Sequence, residues 1–295
     1  MPLSRREFCG LGSAVVVNSL LSSGFGADKV SKSNDLVMVV MDPLAAPLSC
    51  PCVEGYAQRD YTKLAEFLQK QLNRPITIAF SESLTVALKE KTNGRADIVI
   101  GKSSVVKHDA KANKRKLIDV GQLTGKDGAT TQTGLIVVPN ADPAKTVADL
   151  KDYRVIFGPV ESDEKHAAAL ALLKSNKVTP PKKIETSPGC DDGCQKILEA
   201  GATSRGAAVI SSYARPLLEG CGKVKKGDLR VIGETKPVPF IVAFVDDKLT
   251  VEAQVEIQMS LLDMTEDTEL CAAMETLLGF VRGEEPAAEP AKKKQ

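Results

Sequence analysis

The chain has 295 residues and carries 39 Lys and Arg against 38 Asp and Glu, a formal net charge of +1. That balance argues against nucleic acid or an anionic membrane surface as partner, since both favour a strongly basic face. The length accommodates one large domain or two lobes of ordinary size with full cores.

At the start, Ser4-Arg5-Arg6-Glu7-Phe8 precedes the apolar stretch Leu11 to Leu21 and the small residues Ser22 to Ala27. Paired arginines, a short apolar run and a small-residue exit read as a twin-arginine secretory signal, with residues 1–26 removed. The run is shorter than the roughly 20 residues a spanning helix needs, so the mature chain is expected in the periplasm and not embedded in the membrane. Loss of Arg5, Arg6 and Glu7 leaves 37 basic and 37 acidic residues.

From Asp35 onward, β-branched runs alternate with helical patterns, which predicts an α/β fold with largely parallel sheets. Leu36 to Val40 reads as a buried strand. Tyr61, Leu64, Ala65, Leu68 and Leu72 share a helical face, with Asp60 as N-cap and Asn73-Arg74-Pro75 as the stop. Ile76, Ile78 and Phe80 alternate as a strand, Ser81 caps a helix through Leu88, and Ala96 to Ile100 forms the next strand. A second unit follows, with strands at Leu135–Pro139, Arg154–Phe157, Lys183–Thr186 and Ala207–Ile210 and helices at Ala167–Leu173 and Cys194–Ala200, plus a short one near Leu217. Pro239 to Val245 reads as a long strand, and helices are expected at Val251–Leu262 and Thr268–Val281. Residues 34–134 plus 240–282 are expected to form one lobe, residues 135–239 the other, and residues 283–295, rich in charge, Ala and Pro, a disordered tail.

In such a two-lobed molecule a ligand lies at the carboxyl ends of the strands, near the amides of the following helices. The loops so placed offer Tyr56, Gln58, Arg59, Ser103, Ser104, Ser162, His166, Ser211 and Tyr213 as ligand-binding candidates. Gly101-Lys102-Ser103 lacks the upstream glycine spacing of a phosphate-binding P-loop. Neither a Ser-His-Asp set nor a catalytic carboxylate pair can be picked out, so a non-enzymatic binding role is expected.

Three segments carry a family resemblance: Tyr61 to Ile76, Asn93-Gly94-Arg95-Ala96-Asp97-Ile98, and Thr146 to Phe157 with its Asp149-Leu150-Lys151. In order and spacing the chain resembles the phosphate, phosphite and phosphonate ABC-transporter substrate-binding proteins. The resemblance implies a type 2 periplasmic-binding-protein fold, two Rossmann-like lobes joined by two crossing strands. It also implies a small-molecule or oxyanion ligand captured by hinge closure and handed to an ABC transporter permease. Where that family has a loop rich in Ser and Thr, this chain reads Gly158-Pro159-Val160-Glu161-Ser162-Asp163-Glu164-Lys165-His166. Ser162 alone keeps the hydroxyl character, and three carboxylates there repel a phosphate dianion.

Six cysteines follow Cys9. Cys50-Pro51-Cys52 and Cys190–Cys194 both sit in loops after strands, facing the expected cleft, with His166 nearby. They admit structural disulfides, a soft-metal site for Cu or Zn built from Cys50, Cys52, Cys190, Cys194 and His166, or thiol-disulfide exchange. No cofactor is certain. Cys271, among Leu270, Met274 and Leu278, reads as a buried apolar residue.

Overall fold

The computed structural model describes residues 34–50 and 53–283; the expected signal segment, Cys52 and residues 284–295 of the expected tail lie outside them. β1 (Leu36–Met41) is buried at all six positions, as a strand covered on both faces must be. α1 (Tyr61–Leu72) starts where the Asp60 side chain accepts the Thr62 and Lys63 amides and stops at Asn73 in the left-handed region. The expected apolar face is the buried one, and its Leu68 is fully enclosed. Truncating such a residue to alanine costs about 2–5 kcal/mol.

β2 (Ile76–Phe80) leads into α2 (Leu84–Val86), which runs on as a π-turn over Ala87–Lys91. Ser83 is the cap here, accepting from the Thr85 amide, and not the expected Ser81, whose hydroxyl donates to the Ser83 carbonyl. β3 (Ile98–Lys102) runs directly into α3 (Ser103–Ala112), and β4 (Leu117–Leu123) follows. After β5 (Thr131–Gln132) the second sheet begins with β6 (Gly134–Pro139) and β7 (Arg154–Phe157). Then come α4 (Ala167–Ser175), β8 (Glu185–Thr186), α5 (Cys190–Ala200), β9 (Gly206–Ser211), α6 (Ala214–Gly220) and β10 (Leu229–Glu234). The chain closes with β11 (Val238–Pro239), β12 (Ile241–Asp246), α7 (Val251–Leu262), α8 (Thr268–Ala273) and β13 (Phe280–Val281).

Two expectations are corrected at the C-terminal end. The long strand at 239–245 is divided at Phe240 into β11 and β12, which serve different sheets. The last helix stops at Ala273, because Glu275 and Gly279 adopt φ of 52° and 67° and Phe280 then pairs with Leu123. A helix cannot continue through those left-handed residues.

The strands form two main sheets. One is six-stranded in the order β13-β4-β12-β3-β1-β2, and the other five-stranded in the order β10-β6-β9-β7-β8. β1 pairs in parallel with β2 and β3, and β7 in parallel with β8 and β9, while β12, β4, β6 and β10 add antiparallel neighbours. Each sheet carries a hydrophobic cluster on each face. The chain crosses between the lobes twice, and the crossings pair as the small antiparallel ladder of β5 with β11.

Candidate ligand site between the lobes

The carboxyl ends of β1, β3, β7 and β9 and the start of α5 bring charged and hydroxyl side chains together, the place where open α/β sheets bind ligands. Lys102, last residue of β3, sends its ammonium across to the second lobe. There it meets the Glu164 carboxylate and lies 3.3 Å from Ser162 Oγ. The Lys102 side chain is 7% exposed and that of Glu164 not at all. Ser211, at the end of β9, donates to Glu164 Oε1 at 2.6 Å, while Glu164 Oε2 has no hydrogen-bond partner. Lys165 turns toward α5, its ammonium 3.8 Å from Cys190 Sγ, which lies 4.0 Å from Ser211 Oγ. The Ser104 hydroxyl accepts the Asp163 amide at 3.3 Å, a third bond between the lobes.

Two glycines make this arrangement possible. A Cβ on Gly134 would stand 2.0 Å from the Glu164 carbonyl oxygen, so β6 admits the loop only because that position is bare. A Cβ on Gly158 would collide with the Lys165 stem, 2.5 Å from its Cβ.

A second buried cluster lies wholly in the first lobe. Asp42, just after β1, accepts the Leu44 amide at 2.9 Å on Oδ1, and on Oδ2 it accepts Arg59 Nη1 at 2.8 Å and the Tyr61 hydroxyl at 2.6 Å. The Arg59 guanidinium sits 5.6 Å from the centroid of Phe240, whose ring stacks on Tyr213 at 4.7 Å. A stack thus runs from the first lobe through a crossing segment into the second.

Burial shapes the protonation of both clusters. It draws the Lys102 pKa below the ordinary lysine value, with Glu164 pulling it back up and Lys165 adding to the fall. Tyr61 is pushed well above the ordinary phenol value by burial, then by Asp42. Tyr213 is raised likewise, by burial and then by Cys190, Glu164 and Asp42, so its hydroxyl stays protonated.

Of the expected ligand-binding residues, the structure brings Ser104, Ser162 and Ser211 to the interlobe cluster, and Tyr213 beside it on Phe240. Ser103 is buried next to Lys102 at the start of α3, its amide bonded to the Phe240 carbonyl. Arg59 is enclosed with Asp42 in the first lobe. Gln58 ties its own loop together through Ser49 Oγ at 2.9 Å. Tyr56 is largely exposed, with its hydroxyl 3.2 Å from the place a Cβ on Gly220 of α6 would take. His166 turns its Nδ1 to the Gly158 carbonyl at 2.9 Å, inside its own loop. Lys102, Glu164 and Lys165 are not among the expected ligand-binding residues, although the segments holding them are, and Glu164 is one of the three carboxylates expected to repel a phosphate dianion.

The metal site expected from Cys50, Cys52, Cys190, Cys194 and His166 includes Cys52, which lies outside the described residues. Among the described residues no group of three or more His, Cys, Asp and Glu side chains is arranged to hold a metal ion. Cys190, Cys194, Cys221 and Cys271 stand as free thiols, so Cys190 and Cys194, a turn apart on α5, are not bridged. Cys194 points into the second lobe's core, where burial, then Cys190 and Asp191, push its pKa up to about 12. Cys271 is buried in the first lobe's core, as its helical spacing suggests.

Two sheet-bearing lobes joined by two crossing strands make up the type 2 periplasmic-binding-protein fold. The family model described as "ABC transporter, phosphonate, periplasmic substrate-binding protein" matches residues 55–288, and the chain belongs to that family. Solved structures with the same fold include a Xanthomonas citri protein bound to ATP, with a TM-score of 0.64 at 14% identity over 86% of this chain and 92% of that one. PhnD1 from Prochlorococcus marinus in complex with methylphosphonate gives a TM-score of 0.61 at 12% identity, covering 85% and 93%. A binding-protein component of an ABC phosphonate transporter from Pseudomonas aeruginosa gives 0.59 at 13% identity, covering 84% and 81%. No curated protein sequence matches the chain significantly. Among the described residues no helix is long and apolar enough to cross a membrane.

Proposed function

We propose that this protein captures a small oxyanion between its lobes and delivers it to an ABC transporter permease, and that it acts without catalysing a reaction. The observation that carries this reading is the convergence of ammonium and hydroxyl groups from both lobes, Lys102 from one and Ser162, Lys165 and Ser211 from the other, at one buried place. Charge-assisted bonds from such groups suit phosphoryl or sulfonyl oxygens. The β5–β11 ladder, where both crossings meet, is the natural hinge for closing the lobes.

Titration calorimetry with inorganic phosphate, methylphosphonate and methanesulfonate tests the reading. At least one is expected to bind, with affinity falling about tenfold or more in Lys165→Met, where a buried ammonium is lost. Absence of binding by all three would overturn it. Delivery to the periplasm is assigned to the twin-arginine segment, and changing Arg5 and Arg6 together to Lys should retain the protein in the cytoplasm on fractionation.

A further inference from the structure

The seat at Lys102 is filled by the protein's own carboxylate. Glu164 Oε1 receives the Lys102 ammonium and the Ser211 hydroxyl, and Ser162 Oγ stands 3.3 Å from the same ammonium. These groups come from both lobes, and a carboxylate oxygen asks of them what a phosphoryl oxygen would ask: positive charge and short O–H and N–H donors. The loop carrying Glu164 lacks the hydroxyl-rich character that would hold an oxyanion by itself, and its backbone is seated against Gly134.

We propose that Glu164 is a resident competitor for the oxyanion seat, an internal anion that a ligand must displace and whose charge decides which ligands succeed. This rests on the oxyanion reading above. Glu164 Oε2 is buried without a hydrogen-bond partner, so the internal anion is held by one oxygen only and is incompletely satisfied. Lys165, 6% exposed, has an ammonium whose one side-chain partner among the described residues is the Cys190 sulfur. Cys190 in turn lies 4.0 Å from Ser211 Oγ, so a second ammonium group stands near the seat that Lys102 and Glu164 share. With Glu164 in place the seat offers a single net positive charge; with Glu164 swung out it offers two, matched to a dianion with several oxygens. Ligands unable to use both ammonium groups leave Glu164 where it is, and the seat is closed to them.

The test is calorimetry on the full mature chain with inorganic phosphate and methylphosphonate, comparing the native protein with Glu164→Gln and Glu164→Asp. Gln keeps the shape and the Ser211 hydrogen bond but removes the competing charge, and it should bind phosphate at least about tenfold more tightly. Asp keeps the charge but draws it back from Lys102 by one methylene, and it should show a smaller gain, so a folding failure of either variant leaves the other to decide. Measurable native binding with equal or weaker binding in both variants would overturn the competitor role while leaving the oxyanion reading intact. If neither anion binds the native protein or any folded variant, the oxyanion reading falls and this role with it.

Discussion

Two buried ion pairs sit within the same interior, and they are built differently. The Asp42 carboxylate is satisfied on both oxygens by Leu44, Arg59 and Tyr61, all from one lobe and within 20 residues of chain. The Glu164 carboxylate draws its cation from the other lobe, 62 residues away, and keeps one oxygen without a partner. A local, fully bonded pair belongs to the fold, because no motion of the lobes can separate its members. A pair shared between lobes and incompletely bonded breaks when they part, which is the property a binding protein needs at its seat.

The largest expected effect tests the local pair. Asp42→Ala leaves Arg59 buried at 4% exposure without its counterion, and should cost about 3–5 kcal/mol of stability by urea unfolding. A loss as small as that from an exposed ion pair would remove the distinction.

Alkaline pH should separate the two pairs next. Tyr61 and Cys194 both have folded pKa values raised above their unfolded ones, so the stability they contribute is complete below the unfolded values of about 10 and 8.5. It is lost as pH climbs toward the raised values, about 12 for Cys194. A decline of a few kcal/mol across that window, smaller in Cys194→Ala, is expected from denaturant melts at stepped pH. Lys102 has the opposite sign: its pKa is lowered, so its charge is lost below the ordinary lysine value of about 10.4. The closed arrangement thus holds fewer protons on Lys102 than a solvated one, so rising pH favours it, and small-angle scattering should show the lobes staying together until circular dichroism shows unfolding. Loosening of the lobes ahead of unfolding would mean that the ammonium of Lys102, and not its burial, dominates at the interlobe pair.

The smallest effect concerns how Glu164 is placed. Gly134→Ala forces a methyl group against the Glu164 carbonyl and should cost about 1–3 kcal/mol. It should also shift the loop and change oxyanion affinity, whereas an equal loss of stability with unaltered affinity would show that Glu164 does not occupy the seat.

Most of the fold was legible in the residue pattern, and the misses have local causes. β1 and β7 were read closely, and α1 and α7 on their observed spans, because unbroken β-branched runs and 3.6-residue periodicity are strong signals. β4 went unread because Asp119, Gly121 and Gln122 interrupt its alternation, and its ladder with β12 is shifted by a bulge at Ala243/Phe244. The final helix was drawn too long because Met274 and Leu278 continue the helical period, although the chain there turns through Glu275 and Gly279 to place Phe280 in the sheet. For the site, the rule that ligands gather at strand ends points to the loops at 50–59, 101–104, 160–166, 189–194 and 211–213, three of which meet at the Lys102–Glu164 pair. It did not say which members face one another. His166 Nδ1 faces the Gly158 carbonyl of its own loop, and the pairing of Lys102 with Glu164 leaves no trace in the local sequence.

By itself the sequence determined the alternation of strands and helices, the buried faces and the loops that border the cleft, because these follow from periodicity and chain stereochemistry over a few residues. Only the tertiary structure decided which charges pair. Desolvation and Coulomb attraction act through distance in space, and Lys102 and Glu164 become partners only when two lobes set their strand ends against each other.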